Sequence, residues 1–386
     1  MKHRTSLLSG GACCLLLGIL LLAPAGRLSA QGFDVGSDGF LGDVVIDANT
    51  TLDLPADGKL RYKSLTVKSG ARLKFNRNVR NTPVVILSQG DVVIDGVVDV
   101  DGSVAAGNDG GRGGPGGFDG GKPGFSDTPP GNGYGPGAGR GGANNCDGNT
   151  GAGGGGHGNS AGYPTAGPAY GSALLVPVIG GSGGGGSSGA PGNGGGGGGG
   201  AVLIASNTRI AVEGTVTARG GSSGSCLNAG SGGAIRLVAF KVEGSGRLDV
   251  LSNGNGGQGR IRVDTIDRSG LRFVFQGVSS VGGNLFTFPP VVPRLDTIEV
   301  AGNVLPVGSA PATFTLPFGS APNRTVKIQA SDFGRKVPIR VTLTPDAGSP
   351  VVVDTEIDNS AGGPTVLEVP VVVPVNTLVT VHCWTR

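Results

Sequence analysis

The chain has 386 residues, a formal net charge of +3 and 79 glycines, a glycine share far above the usual value of about 7%. It lacks the Gly-X-Y period of collagen, and hydrophobic residues still make up 37% of it, which excludes a wholly disordered chain. The near balance of charge gives no long-range field that would attract nucleic acid, so no nucleic-acid partner is expected.

Residues 1–30 have the layout of a secretory signal peptide. A short basic start precedes an uncharged apolar run over residues 12–22, and small residues follow it. The run is too short to cross a bilayer, which needs about 20 apolar residues, so a retained membrane anchor is the weaker alternative. We expect cleavage after Ala30, with Ala25 as the second choice, and no transmembrane segment after cleavage. The protein is therefore expected to leave the cytoplasm and to be secreted or held at the cell surface.

Residues 31–285 carry an internal repeat that decides the predicted fold. Apolar and polar residues alternate in three short stretches between residues 84 and 102, and the pattern returns 118 residues later. The aligned pairs are Val84/Val202, Ile86/Ile204, Val92/Ile210, Ile94/Val212 and Val98/Val216. The unit begins again about 33 residues further on, at Ile235. Alternation with period two predicts strands with one buried face.

Three short strands per unit, recurring at this interval, predict an all-β, right-handed parallel β-helix, which is a solenoid of stacked coils. Equivalent residues of adjacent coils lie about 4.8 Å apart. We therefore expect Val202 beside Ile235 and Ile204 beside Leu237 on parallel strands. The residues predicted to point into the core are Val84, Ile86, Val202, Ile204, Ile235 and Leu237.

Two glycine-rich stretches, residues 103–200 and 220–233, interrupt the repeat and are predicted to be long loop insertions. One interpretation is flexible loops. The other, which we favour, is compact loops that pack against one side of the solenoid, because glycine lets backbones approach closely.

Glycine becomes rarer after residues 286–294, which are predicted to be a proline-rich linker. Residues 295–386 then show seven short alternating stretches, which predict a small β-sandwich-like domain. The stretches are Thr297–Val300, Thr313–Leu316, Thr325–Gln329, Ile339–Leu343, Val351–Thr355, Thr365–Val369 and Leu378–Val381.

Three cysteines remain after signal cleavage, and export permits a disulfide. Cys146 and Cys226 both lie in glycine-rich insertions, so we predict that they are paired and that Cys383 stays single. Three cysteines allow three pairings, and the other two stay open.

Four short segments carry a resemblance: Asn81–Leu87, Gly167–Gly171, Gly180–Gly186 and Ser231–Leu237. In them the chain resembles a group of uncharacterised, glycine-rich exported proteins of environmental bacteria, over about residues 60–265. The resemblance implies an exported protein with a parallel β-helix-like repeat region. It brings no catalytic residues with it, since no activity defines that group.

The residues suggest little catalytic or metal chemistry. His157 and His382 have no nearby partners at zinc-ligand spacing, and the glycine-rich nucleotide motifs lack their strand and helix context. Calcium is the one cofactor that the acidic pattern suggests, although a solvated acidic face explains it better. The calcium candidates are Asp95, Asp99, Asp101, Asp109 and Asp119.

The most economical function is an exported, non-catalytic surface or extracellular protein with a structural or adhesive role. Its expected partner is a polysaccharide or another cell-surface component, met by a ligand face of the arginines Arg209, Arg219, Arg236 and Arg260. The alternative is a polysaccharide lyase or glycoside hydrolase, because β-helices often carry such activities. That alternative needs a pair of carboxylates at a defined separation, and no such pair can be assigned from the sequence.

Overall fold

A computed structural model describes residues 33–385 apart from residues 126–127, 144–146, 148, 150–151, 189–192, 224–227, 290, 310 and 347. Residues 33–386 group into one compact unit. The regular secondary structure of the described residues consists of strands alone. The described part of the chain contains no helix that is long and apolar enough to cross a membrane.

Fifteen strands between residues 43 and 282 form two sheets in which every pairing is parallel. Most are three to five residues long and alternate between apolar and polar residues. Their bounds are β1 Asp43–Ile46, β2 Thr50–Asp53, β3 Lys59–Tyr62, β4 Ser64–Val67, β5 Arg72–Asn76, β6 Val84–Ser88, β7 Val92–Ile94, β8 Val97–Asp99, β9 Ala201–Val212, β10 Thr215–Thr217, β11 Ala234–Glu243, β12 Arg247–Asp249, β13 Arg260–Asp264, β14 Val274–Gln276 and β15 Val278–Gly282.

The larger sheet has nine strands in the order β1-β4-β7-β9-β11-β13-β15, with β6 beside β9 and β3 beside β6. The smaller sheet has six strands in the order β14-β12-β10-β8-β5-β2. The long strand β9 pairs with β6 through its first half and with β7 through its second half. A unit of three short strands thus pairs, strand by strand, with the next unit along the chain.

The register confirms the repeat that the sequence predicted. Each residue of the 118-residue alignment lies opposite its predicted counterpart, including Val84 opposite Val202 and Val98 opposite Val216. Val202 also pairs with Ile235, and Ile204 with Leu237, on parallel strands. All six residues predicted to point inward are fully buried in one hydrophobic cluster.

The glycine-rich residues between β8 and β9 form a packed array of extended segments. Residues 194–200 are buried throughout, and each N–H along residues 195–200 donates to a neighbouring segment. The donor–acceptor pairs are Gly195 N to Gly121 O, Gly196 N to Asn228 O, Gly197 N to Ser103 O, Gly198 N to Phe118 O, Gly199 N to Ser231 O and Gly200 N to Val100 O. Successive residues therefore donate to three different neighbouring segments in turn, and every third residue donates to the same segment.

A period of three residues without internal hydrogen bonds is that of a polyproline II helix. Residues 194–200 show this period, and we use the name glycine array for them together with the glycine-rich segments packed around them, which are residues 110–124, 131–142, 153–158, 180–188 and 228–233. A Cβ atom at Gly195 or Gly198 would lie 1.9 Å from a carbonyl oxygen of the next segment, so only glycine fits there. Of the two interpretations of the glycine-rich stretches, the close backbone approach seen in the described residues agrees with the compact loops that the sequence analysis favoured.

Eight strands between residues 294 and 385 form two antiparallel sheets of four strands each, in the orders β17-β16-β19-β22 and β18-β23-β20-β21. Seven of them coincide with the seven predicted stretches, and β17 is additional. The bounds are β16 Arg294–Val300, β17 Asn303–Val304, β18 Ala312–Thr315, β19 Asn323–Ser331, β20 Lys336–Pro345, β21 Val351–Asp358, β22 Thr365–Val372 and β23 Leu378–Thr385. The two sheets share a hydrophobic cluster of their own.

The glycine array contacts these antiparallel sheets through a few larger side chains. The Phe118 ring meets the edge of Trp384 at a centroid distance of 5.4 Å, and Trp384 stacks on His382. The Tyr134 hydroxyl donates to the Asp346 carboxylate over 3.0 Å, and the Asn132 amide donates to the Gly348 carbonyl. The aromatic residues scattered in the glycine-rich sequence thus anchor the array.

Candidate functional site

A polar groove of about 350 Å³ lies on the outward face of the six-stranded sheet. Val98, Val216 and Leu248 point into the core from strands β8, β10 and β12, so their neighbours along each strand point outward. The lining residues are Arg72, Val97, Asp101, Thr215, Thr217, Arg219, Arg247, Asp249 and Asn253. All but one of these residues carry a polar or charged side chain.

Strand register arranges the outward side chains in two rows that cross the strands. One row runs from Arg72 through Val97 and Thr215 to Arg247. The second row is Lys74, Asp99, Thr217 and Asp249. Neighbours within a row are separated by one strand spacing, about 4.8 Å. The groove therefore presents polar groups at regular intervals along the direction in which the strands stack.

The two carboxylates of the second row, Asp99 and Asp249, are buried on this face, and of the two Asp249 lines the groove. The Asp99 side chain is only 7% exposed, and its carboxylate lies 2.6 Å from an Arg72 nitrogen and 3.4 Å from the Lys74 nitrogen. The Asp249 side chain is 3% exposed and lies 3.3 Å from an Arg219 nitrogen. Both carboxylates are thus buried beneath cationic side chains, as buried charges require.

Asp101 continues the outward face two residues beyond Asp99. Its Oδ1 accepts hydrogen bonds from the Thr217 hydroxyl, at 2.7 Å, and from the Arg219 backbone N–H, at 2.6 Å. Burial, and after it the negative charge of Asp99, raise the pKa of Asp101 to about 6. A carboxyl with this pKa is able to exchange a proton near neutral pH.

Two arginines of the groove retain unused hydrogen-bond donors. Arg247 is exposed and has no acidic partner among the described residues. The Nε–H of Arg219 is buried and has no acceptor in the described part of the chain. Since a guanidinium carries five N–H donors, both residues keep capacity for a further acceptor.

The five calcium candidates do not come together. Asp99 and Asp101 adjoin in the groove, where Asp99 accepts the Asp101 backbone N–H at 2.9 Å. Asp95 is exposed at a turn, Asp109 is exposed in another, and Asp119 pairs with Arg77 at 2.5 Å. Within residues 33–385, apart from the gaps given above, no group of three or more His, Cys, Asp or Glu residues is placed to hold a metal ion.

The four arginines predicted to share a ligand face have separate surroundings. Arg219 lines the groove, whereas Arg209 lies on β9 between Asp91 and Glu243, at 2.7 and 2.9 Å.

Arg236 and Arg260 are instead covered by segments that lie outside the repeat. Arg236 is 1% exposed, pairs with Asp264 at 3.2 Å and donates to the Phe286 carbonyl at 2.9 Å. Arg260 donates to the Tyr170 carbonyl at 2.9 Å. Of the four predicted arginines, Arg219 alone lines the groove, and the other lining residues were not predicted as site residues except Asp101. Extending the repeat to β12 would have placed Asp249 opposite Thr217.

The two described histidines are buried. Burial lowers the pKa of each to about 4, so both are neutral near pH 7. The His157 Nδ1 lies 3.0 Å from the Gly232 carbonyl, and its ring stacks on Tyr170 at 4.6 Å. These contacts, and the stacking of His382 on Trp384, point to a packing role for both rings.

Cys383 is a free thiol, and burial raises its pKa to about 12, which makes it a poor nucleophile. The predicted disulfide between Cys146 and Cys226 lies outside the described residues.

No protein-family model, no curated protein and no solved structure matches this chain.

Proposed function

We propose that this protein is an exported, non-catalytic component of a bacterial cell surface or extracellular matrix, and that the groove binds a polysaccharide. The parallel sheets, in this proposal, are the coils of a right-handed β-helix, and the antiparallel sheets form a small β-sandwich. The apolar start of the sequence supports export, and the resemblance to glycine-rich exported proteins agrees with it.

The observation that carries the proposal is the double row of polar side chains in the groove. A polysaccharide is a linear chain of repeating units rich in hydroxyl groups, which both donate and accept hydrogen bonds. The arginines, the Thr215 hydroxyl and the Asp101 carboxyl, set in register along the stacked strands, offer matching partners along such a chain. The strand backbone holds these groups rigidly, so binding requires little ordering of the protein.

A bulky side chain placed in the middle of the groove tests this proposal. Thr215 lies in the row between Val97 and Arg247, so Thr215→Trp would fill the groove. The matched control is Thr355→Trp, which adds the same side chain to a half-buried position on β21, away from the groove. We expect the wild type and the control to be retained on insoluble polysaccharides, and the groove variant to be released.

Retention of Thr215→Trp at the wild-type level would refute the groove as the binding site. A wild-type protein that binds no polysaccharide across a broad glycan array would refute the function itself. Amino-terminal sequencing of the exported protein tests the export proposal, with cleavage expected after Ala30.

Glycoside hydrolysis is the second candidate, because one observation favours it. The Asp101 carboxyl, with a pKa of about 6, lies next to Asp99 and in the same groove as Asp249. A hydrolase of this kind needs one protonated and one ionised carboxyl group. Release of reducing sugar without an unsaturated product, lost in Asp101→Asn, would establish this activity and overturn the non-catalytic proposal.

A further inference from the structure

The groove has cations at its rim and acids at its floor. The side chains of Arg72 and Lys74 are 44% and 55% exposed, whereas the Asp99 carboxylate that they share is 7% exposed. Arg219 is 33% exposed over an Asp249 that is 3% exposed. A ligand that enters from solvent therefore meets positive charge before it meets negative charge.

The charges of the groove do not balance. Arg72, Arg219 and Arg247 line the groove, and Lys74 adjoins it through its pairing with Asp99. These four cations face three carboxyl groups, of which Asp101 has its charged form disfavoured by burial and by Asp99. Two of the cations share one carboxylate, and Arg247 has no acidic partner in the described part of the chain. The exposed edge of the groove thus carries unneutralised positive charge.

The two exposed arginines lie at the two ends of one row. Arg72 and Arg247 occupy the same register position on strands β5 and β12, with Val97 and Thr215 between them. Three strand spacings separate them, which is about 14 Å between their backbones. A small apolar side chain and a threonine leave the space between the two arginines open.

From this arrangement we propose that the groove selects a polysaccharide that carries carboxylates, such as a chain of uronic acids, and that Arg247 and Arg72 bind two carboxylates on the same chain. This inference rests on the proposed function, since it names the class of polysaccharide that the same groove takes. Guanidinium groups recognise carboxylates through two parallel hydrogen bonds, which gives direction as well as charge. The hydroxyl groups of the intervening sugars meet Thr215 and Thr217.

The spacing sets a minimum length for the ligand. One sugar unit of an extended chain is about as long as one strand spacing, so a span of three spacings needs a chain of at least three or four units. A uronic acid monomer reaches one arginine only. We therefore expect affinity to rise steeply between the monomer and the tetramer.

The test is a calorimetric titration of the full exported protein with a linear tetrauronide and with the same tetrasaccharide after reduction of its carboxylates to alcohols. We expect the tetrauronide to bind at least tenfold more tightly at low ionic strength, and this advantage to shrink as salt is added. Arg247→Ala should weaken tetrauronide binding about tenfold and weaken binding of the reduced tetrasaccharide by a smaller factor, because only the tetrauronide loses a charge-assisted hydrogen bond there. Arg335→Ala, which removes an exposed arginine outside the groove, is the matched control and should bind both as the wild type does.

Each outcome separates this inference from the proposed function. Equal affinity for the two tetrasaccharides, lost in Thr215→Trp, would refute the selection of carboxylates and leave polysaccharide binding in place. Binding of neither one, nor of any glycan on the array, would refute both. A weaker tetrauronide affinity in Arg335→Ala, equal to the loss in Arg247→Ala, would show general charge attraction and overturn the site. Thermal unfolding of each variant checks that Arg247→Ala folds, and Arg247→Gln provides a second variant if it does not.

Discussion

Replacement of one glycine in the middle of the glycine array should unfold or strongly destabilise the protein. A Cβ atom at Gly198 would lie 1.9 Å from the Gly181 carbonyl oxygen, where about 3.4 Å is the ordinary closest contact. The two segments would have to move apart by more than 1 Å. The hydrogen bonds from Gly198 to Phe118 and from Gly181 to Gly199, now 2.8 and 2.7 Å long, hold them where they are.

The effect should be large because backbone surrounds Gly198 and leaves it no space to move into. Its segment donates to three neighbouring segments and also accepts hydrogen bonds from Gly181 and Gly114, so a displacement away from Gly181 is a displacement toward another backbone. Overpacking in a close-packed interior costs about 1–3 kcal/mol where side chains can adjust, and here backbone would have to move. We therefore expect Gly198→Ala to lower the free energy of unfolding by about 3 kcal/mol or more.

Gly363→Ala is the matched control, because a Cβ atom there would meet no atom within 4 Å and its φ is not positive. Alanine reduces the freedom of the unfolded chain, so this control should be unchanged or stabilised by up to about 1 kcal/mol. Urea denaturation of the wild type and both variants measures the difference. If the two variants agree within about 0.5 kcal/mol, the glycine array is not the packed structure described above.

Two further predictions concern charged groups. Asp264→Asn should lower the free energy of unfolding by about 3 kcal/mol in urea denaturation, because it leaves the buried guanidinium groups of Arg236 and Arg262 without their shared carboxylate. Adding Arg236→Met should restore part of this loss. An Asp264→Asn variant as stable as the wild type would contradict this account. The folded pKa of Asp101 is about 6, above its ordinary value of 3.8, so this carboxyl stabilises the fold at low pH and loses that contribution as the pH rises from about 4 through 6. His157 and His382 have the opposite effect on the free energy of unfolding over this pH range. Because their pKa values are lowered in the fold, their contribution to stability is fully present above about pH 6.5 and is lost as the pH falls toward 4. Comparison of the wild type with Asp101→Asn isolates the contribution of Asp101. Between pH 4 and pH 7 the free energy of unfolding of the wild type should fall by about 2 kcal/mol relative to that of the variant. Stability curves that run parallel for the two proteins would refute the raised pKa of Asp101.

The parallel register could be predicted from the sequence because residues that pair on adjacent strands have the same or similar side chains. Val84 and Val202 are 118 residues apart in the chain, yet they face the same core from adjacent strands and have the same side chain. Stacking repeats the environment of each inward position, so the apolar pattern repeats with it. The same argument predicted the antiparallel strands at their places but not their pairing, because alternation specifies a buried face and not a neighbour.

The glycine array could not be predicted in the same way. Gly195, Gly196 and Gly197 are identical in sequence, yet they donate to three different segments. Without side chains there is no pattern to show which neighbour each one meets. The burial of Arg236 was missed for a related reason. The β-strand pattern assigns it to the outward face, correctly, but does not show that residues 286–287 cover that face.

The glycine array and the groove depend on each other at two positions. Asp101 and Arg219 are the last side chains before glycine segments begin at Gly102 and Gly220, and the Gly102 N–H donates to the Arg219 carbonyl at 2.8 Å. The Arg219 N–H in turn donates to the Asp101 carboxylate. The backbone that positions these two groove residues is thus tied to Gly102, where the glycine-rich sequence that leads into the array begins. Strands β8 and β10 are paired although more than 100 residues separate them in the chain. The intervening array must therefore bring β10 back beside β8 in the correct register, so that Asp101 meets Arg219 and Thr217. The array is therefore part of what builds the groove, which accounts for a region where close backbone packing admits only glycine at many positions.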